Sequence, residues 1–343
     1  MEVRRADVAR LAGTSPSVVS YVLNNGPRPV APETRARVLA AIEKLGYRPN
    51  GIARSLRMSR STTLGLVVPD TANPFFAHMA RAIEEAAFSA GYTLLIGNAA
   101  ESEQRQTAYT RSFLSRQVDG LFLVPAHGSG LLDELRDTTV PWLALDRGFP
   151  EMSERAVRIN NRDGAREATK HLLDHGRRDI ACIAGPVDVL PAYERVEGWR
   201  DAVTAAGLDA DGLALYHGPF GRRAGYEAAL AMLHHRDDVD AIFVASDEQA
   251  IGVLRALHEL GRRCPEDVAV VSFDGIAEAE FSSPSLTTMA QPFAELGHAA
   301  VSRLLALMED PSPTTPCAVL SATLVPAESC GCVSASTAGE AAR

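Results

Sequence analysis

Arg5-Ala6-Asp7-Val8-Ala9-Arg10-Leu11-Ala12-Gly13-Thr14-Ser15-Pro16-Ser17-Val18-Val19-Ser20-Tyr21-Val22-Leu23-Asn24 is the stretch on which the reading of this 343-residue chain turns. Val8, Leu11 and Ala12 recur on one side of a first helix, and Gly13 breaks it. Ser15 is placed to cap a second helix, with Pro16 at its first position, where a missing N–H costs little. Val19, Val22 and Leu23 give that second helix an inward side, while its start and one face stay small and polar. Two short helices across a glycine-containing turn, the second with a small-residue tip, have the geometry that enters a DNA major groove. Bare helical hairpins also occur in proteins that never touch DNA, so the flanking sequence decides.

Downstream, the turn-rich loop Asn24-Asn25-Gly26-Pro27-Arg28-Pro29 leads to a third helix over about Pro32–Leu45. Val38, Leu39, Ile42 and Leu45 set its helical period and Gly46 closes it. Charge is distributed unevenly. Residues 1–60 hold eleven Arg and Lys against four acids, a net of +7, which leaves −16 for the remainder of a chain whose total is −9. A basic head on an acidic body suits a nucleic-acid-binding module joined to something that must not stick to DNA. Lysine occurs only at 44 and 170, so the preference for arginine is chain-wide and carries no functional weight.

From residue 61 the pattern changes to apolar strands alternating with helices. Leu64–Pro69, Tyr92–Ile96, Gly120–Val124 and Trp142–Asp146 read as strands, and a helix is expected from about Pro74 to Ala90. After Ile159-Asn160 the rhythm restarts with strands at Ile180–Ala184, Ala241–Ala245 and Val268–Phe273. About nine strands, each with a helix behind it, imply parallel sheets covered on both faces. The restart near 160 implies two lobes, with ligand chemistry expected in the cleft at the strands' carboxyl ends.

The ordered motifs Asp7-Val8-Ala9, Ala12-Gly13, Val19-Ser20, Val22-Leu23-Asn24, Glu33-Thr34-Arg35, Leu45-Gly46-Tyr47-Arg48-Pro49-Asn50 and Ala53-Arg54-Ser55-Leu56 resemble the LacI/GalR family of bacterial transcriptional regulators. The resemblance continues through Asn73-Pro74-Phe75-Phe76, Asp146-Arg147, Asn160-Asn161, Arg195 with Gly198, Ser246-Asp247-Glu248-Gln249, Phe273-Asp274 and Pro284-Ser285-Leu286-Thr287-Thr288 to Gln291, covering about residues 5–330. It implies a small all-α helix-turn-helix DNA-binding domain (1–47), a hinge helix and linker (48–60), and an α/β two-lobed periplasmic-binding-protein-like (type I) effector domain with parallel sheets (61–330). The N-lobe is then about 61–160 plus 290–320, the C-lobe about 161–289 plus 321–330, and 331–343 a flexible tail.

It also implies a repressor acting as a homodimer on a palindromic operator, with no cofactor and with a small-molecule effector between the lobes: a mono- or disaccharide is favoured, and nucleobase effectors also occur in that family. On the DNA side, Ser17 and Tyr21 can reach base edges and Pro16 offers apolar contact, with Ser15, Ser20, Asn24 and Arg28 around them. Many relatives carry Arg where this chain has Tyr21, and a tyrosine cannot make arginine's bidentate contact to guanine. The hinge contributes Asn50, Ala53, Arg54 and Leu56, with Leu56 the apolar wedge between minor-groove base steps.

In the cleft, Asp247 and Asp274 each follow a strand's carboxyl end and Arg195 supplies fixed donors. Phe75, Phe220 and Phe293 would form an apolar wall; Asp70, Asn73, Asp146 and Gln291 would complete the polar set. Asp247 and Asn73 have an equally simple reading as helix caps.

Other chemistries find little purchase. The five cysteines (182, 264, 317, 330, 332) are scattered; Cys330-Gly331-Cys332 is the one close pair, and no histidine spacing completes a metal site, so no metal is expected. Gly128-Ser129-Gly130 has Asp133 where a dinucleotide fingerprint needs Gly, and neither a Walker A nor a G-x-S-x-G sequence is present. His234-His235 reads as solvated surface. With no catalytic set, an enzyme is not expected. No secretory signal or membrane-length apolar run is seen, so the expected location is the cytoplasm, on the nucleoid. A sugar-binding transport receptor shares the body but would carry an export signal in place of the basic helix-turn-helix.

Overall fold

The computed structural model describes residues 3–24, 29–47, 60–126, 130–148, 150–310 and 318–332. They fall into two compact units, Met1–Ser61 and Thr62–Arg343.

In the first unit α1 (Arg5–Ala12), α2 (Pro16–Asn24) and α3 (Pro32–Leu45) surround one small core. Arg4 and Asp7 form a capping box at the start of α1, and Gly13 closes it in the left-handed conformation. Val8, Ala9, Ala12, Val19, Val22, Val38 and Ala41 are buried, with Leu23, Ile42, Leu45 and Tyr47 packed against them. Leu11 and Leu39, expected to face inward, are 46% and 48% exposed. Alanines 9 and 41 take inward positions instead.

The second unit holds two six-stranded sheets. The first comprises β1 (Thr63–Val68), β2 (Thr93–Asn98), β3 (Gly120–Leu123), β4 (Trp142–Leu145), β5 (Ala156–Ile159) and β11 (Ala318–Leu320), in the order β11-β5-β4-β3-β1-β2. Every pairing in it is parallel. The second comprises β6 (Ile180–Ala184), β7 (Leu215–His217), β8 (Ala241–Val244), β9 (Ala269–Asp274), β10 (Thr287–Ala290) and β12 (Thr323–Val325), in the order β12-β10-β9-β8-β6-β7. It is parallel except where β12 pairs antiparallel with β10 at the edge.

The helices are α4 (Pro74–Ser89), α5 (Glu103–Ser115), α6 (Gly130–Arg136), α7 (Asn161–Asp174), α8 (Leu190–Ala205), α9 (Arg222–His235), α10 (Asp247–Glu259), α11 (Ala277–Glu280) and α12 (Phe293–Glu309). Strands buried along almost their whole length, such as β3, β6, β8 and β9, are what parallel sheets covered on both faces require. Helix α12 packs on α4 and on the first sheet, whereas α7 packs on α8 and on the second. Among the described residues the chain therefore passes between the lobes three times: after Ile159, after Ala290 and after Leu320. Helices α9 and α10 cross at two glycines. A Cβ on Gly225 would lie 2.0 Å from the Gln249 carbonyl oxygen, and one on Gly252 would lie 1.9 Å from that of Arg222. Neither backbone can yield, so only glycine fits either position.

Candidate functional site

On the first unit, the start of α2 is built as its sequence requires. Ser15 Oγ accepts from the Val18 N–H at 3.3 Å, which leaves Ser15, Pro16 and Ser17 exposed at the helix tip. Tyr21 is half-buried one turn further along, and Ser20 lies beside it at similar exposure. Arg28, Asn50, Ala53, Arg54 and Leu56 lie outside the described residues, as does the side chain of Asn24.

On the second unit, a small cleft opens between the lobes. It is lined by Asn73, Phe75, Phe76, Asp146, Arg147, Pro191, Arg195, Phe220 and Asp274. Six of these are residues expected from the sequence. Phe76, Arg147 and Pro191 were not among them, although the first two directly follow expected ones.

Each lobe contributes an aspartate at a strand's carboxyl end. Asp146 follows β4 and Asp274 ends β9, and both take positive φ values, +57° and +125°. Non-glycine residues rarely occupy that region, and strain of this kind gathers at binding sites. Both carboxyls are about 95% buried. Burial raises the Asp146 pKa against the opposing charges of Arg195 and Arg147. Burial likewise holds Asp274 well above the usual carboxylate range, against the pull of Arg195. Asp146 Oδ1 is buried with no hydrogen-bond partner.

Arg195 is fixed from several directions. Its Nε donates to Asn161 Oδ1 at 2.9 Å, and its Nη1 donates to the Ala245 carbonyl at 2.5 Å and to Asp274 Oδ1 at 3.2 Å. The guanidinium carbon sits 3.9 Å from the Phe273 ring centre. Asn161 is held in turn by donating to the Ile159 carbonyl and to Glu194. Arg147, on the other lobe, is clamped by Glu101 at 3.0 and 3.2 Å and lies 5.5 Å from the centre of the Phe76 ring. Planar forks locked in this way present their remaining N–H groups to a ligand without an ordering cost.

The remaining expected residues stand further back. Gln291 donates to Asp274 Oδ1 at 2.9 Å, and its own Oε1 is buried without a partner. Phe293 packs behind Phe75, with ring centres 5.7 Å apart. Asp70 Oδ1 accepts from the Ala72 N–H at 2.9 Å, which shapes the turn into α4. Asn73 does both of its jobs, capping α4 through Phe75 N–H at 3.0 Å and lining the cavity.

Asp247 is a correction. Its side chain is fully buried away from the cavity lining, and both oxygens are taken by the protein. Oδ1 accepts from Ser272 and Thr288 hydroxyls at 2.5 and 2.7 Å, and Oδ2 accepts from Gly275 and Ile276 N–H groups at 2.7 and 2.8 Å. With four donors in place, its role is to hold the turn that positions Asp274. Burial nonetheless outweighs those donors and raises its pKa to about 6.

A native pKa above the unfolded value contributes stability that is complete below about pH 3.9 and lost as pH rises through 6, by up to about 3 kcal/mol. Asp247→Asn should therefore flatten the decline in melting temperature between pH 4 and 6. Asp247→Ala, which orphans the buried Ile276 N–H, should cost about 2–5 kcal/mol at pH 4 and less as pH rises through 6. Thermal melts across that range check both.

Four residues of metal-ligating type also come together on the second lobe, a grouping that the sequence did not suggest. Helix α7 carries His171 and His175 to the two sulfurs of Cys330-Gly331-Cys332, about 155–160 residues away in sequence. Spacing along the chain gave no sign of it, because the proximity is created by the last passage of the chain back onto the second lobe. Cys332 is thus part of the folded body rather than of a free tail.

A family model for the LacI family of bacterial regulatory proteins matches residues 6–50, and one for the periplasmic binding protein-like domain matches residues 169–330. The ribose operon repressor of Escherichia coli K12 is 36% identical over 308 residues, spanning 89% of this chain and 93% of that one. The chain belongs to the LacI family. The transcriptional repressor PurR of Photobacterium profundum is 34% identical over 306 residues, 89% of this chain and 91% of that one.

Among solved structures, the lac repressor dimer bound to operator and the anti-inducer ONPF superposes with a TM-score of 0.86 at 28% identity, over 96% of this chain and 99% of that one. The regulator CelR in complex with cellobiose gives 0.73 at 34% identity, over 96% and 100%. As a LacI-family member the chain is a DNA-binding transcriptional repressor with an effector-binding body, not a transport receptor. No helix among the described residues is long and apolar enough to cross a membrane.

Proposed function

We propose that this repressor binds a palindromic operator as a homodimer, in the cytoplasm, and that a small polyhydroxylated effector in the inter-lobe cavity controls its grip. The observation that carries the effector class is the orphaned Asp146 Oδ1. An unpartnered buried oxygen costs stability unless a ligand donates to it, and hydroxyl groups donate. Asp274 offers a second acceptor and Arg195 a fixed donor, while Phe75, Phe76 and Phe220 give the apolar wall that a sugar's C–H face requires.

Ribose is the first candidate, given the relative named above. Arg195, Asp146, Asp274, Asn73, Phe75 and Phe220 are the contacts, with Gln291 orienting Asp274. The site binds and does not catalyse. Ser17, Tyr21 and Pro16 read the major groove, supported by Ser15, Ser20, Asn24 and Arg28, and the hinge residues Asn50, Ala53, Arg54 and Leu56 act in the minor groove.

Calorimetric titration with pentoses, hexoses, disaccharides and nucleobases tests the ligand class. One sugar should bind one per chain. Asp146→Asn keeps a residue that tolerates φ +57° but weakens the acceptor, and should reduce affinity at least about tenfold. Binding of a nucleobase and of no sugar would overturn the assignment.

A further inference from the structure

We propose that His171, His175, Cys330 and Cys332 form a tetrahedral site for a zinc-class divalent ion, which pins the Cys330–Cys332 segment to α7. His171 and His175 are four residues apart in the last turn and a little beyond the end of α7, so they share one face of the helix. Their rings stand 4.6 Å apart. Across from them, Gly331 takes φ +96°, a left-handed turn that lets the two flanking cysteines turn toward one point. His171 Nε2 lies 3.2 Å from Cys330 Sγ and 3.8 Å from Cys332 Sγ, and His175 Nε2 lies 3.4 Å from Cys332 Sγ. All four ligand atoms fall within 4.8 Å of one another.

Zinc bonds of about 2.3 Å to sulfur and 2.0–2.1 Å to nitrogen give tetrahedral edges of roughly 3.3–3.8 Å, and the nitrogen–sulfur separations of 3.2, 3.4 and 3.8 Å lie close to the edges of such a site. A hydrogen-bonded pair would need only His171 and Cys330, and a disulfide would need neither histidine.

The ligands are held by rigid neighbours, as a metal site requires. Ser329 Oγ donates to the Val270 carbonyl at 2.7 Å and accepts from Thr287 N–H at 2.8 Å, and Glu328 accepts from both the N–H and the hydroxyl of Ser285. Those bonds clip the segment to β9 and β10. Cys330 is 2% exposed, and the Thr287 hydroxyl lies 3.0 Å from its sulfur, the kind of outer partner that steadies a bound thiolate. Two thiolates and two imidazoles without a carboxylate select zinc over magnesium or calcium. Four protein ligands leave no open position, so the ion's role is to hold structure. Nothing in the effector cavity takes part.

The test is titration of the reduced, metal-stripped full-length protein with Co²⁺, followed by displacement with Zn²⁺. One equivalent should develop the intense visible bands of tetrahedral cobalt and a near-ultraviolet thiolate-to-cobalt band, and zinc should bleach both. Cys332→Ser should lose the thiolate band's full intensity. His175→Gln, at an exposed residue, should weaken cobalt binding more than about tenfold while leaving the metal-free melting temperature unchanged. Zinc should raise the melting temperature of the wild type and of neither variant. A pale octahedral spectrum, no stoichiometric binding, or binding unchanged in His175→Gln would overturn the proposal.

Discussion

Arg195→Ala should raise the effector's dissociation constant at least about a hundredfold, and operator binding should stop responding to the effector. Each hydrogen bond from a charged donor is worth about 1.5–3 kcal/mol, and every 1.4 kcal/mol is tenfold in affinity. The guanidinium is already oriented by Asn161, the Ala245 carbonyl, Asp274 and the Phe273 ring, so its contribution to binding is not offset by ordering. Removing it also leaves Asp274, about 95% buried, with the Gln291 amide as its remaining partner. Breaking a buried pair costs about 3–5 kcal/mol, and the Asp274 pKa, raised by burial, should climb further.

Arg195→Lys separates the two effects. It restores a charge beside Asp274, and so most of the stability, but not the planar fork, so effector affinity should stay low. Calorimetry with the bound sugar and thermal melts, on both variants, check this. Normal effector affinity in folded Arg195→Ala would remove Arg195 from the site.

Leu56→Ala should reduce affinity for the specific operator about tenfold to a hundredfold while leaving effector affinity unchanged. A wedge that opens a minor-groove step returns a few kcal/mol through the bent duplex it makes accessible, and alanine is too short to open the step. Affinity for non-specific DNA, which rests on phosphate contacts, should change little. Fluorescence anisotropy with operator and scrambled duplexes distinguishes the two. Equal losses on both would mean that Leu56 serves folding of the segment and not readout.

The sequence was most legible where local chemistry and tertiary structure agree. Ser15, Pro16 and Gly13 mark helix ends by their own backbone preferences, and the structure ends the helices there. It was less legible where packing chooses among equivalent residues. Leu11 and Leu39 fit the apolar period, but Ala9 and Ala41 take inward positions instead. The short strands β5, β7, β10, β11 and β12 carry three or four residues each, too few to show a period, and Thr287 and Thr288 hide β10 further.

In the cavity, Asp247 and Asp274 follow strands in the same way, and no local signal tells them apart. Which carboxylate meets the ligand depends on whether nearby N–H groups claim it first. Gly275 and Ile276 claim Asp247. Phe76 and Arg147 were overlooked because each neighbours an expected residue, and only the third dimension shows both of a pair reaching one cavity. His171 and His175 lie farthest from view, since their partners in sequence are ordinary helix residues and their partners in space come from the end of the chain.

On this reading the helix-turn-helix unit recognises a two-fold symmetric DNA sequence under control of the cleft. Incubating purified protein with random duplex DNA, with and without the sugar identified by calorimetry, and sequencing the bound fraction tests it directly. The expected result is enrichment of an inverted repeat with a deformable central step, and a change in its recovery when the sugar is present. Enrichment of no sequence in either condition would contradict it.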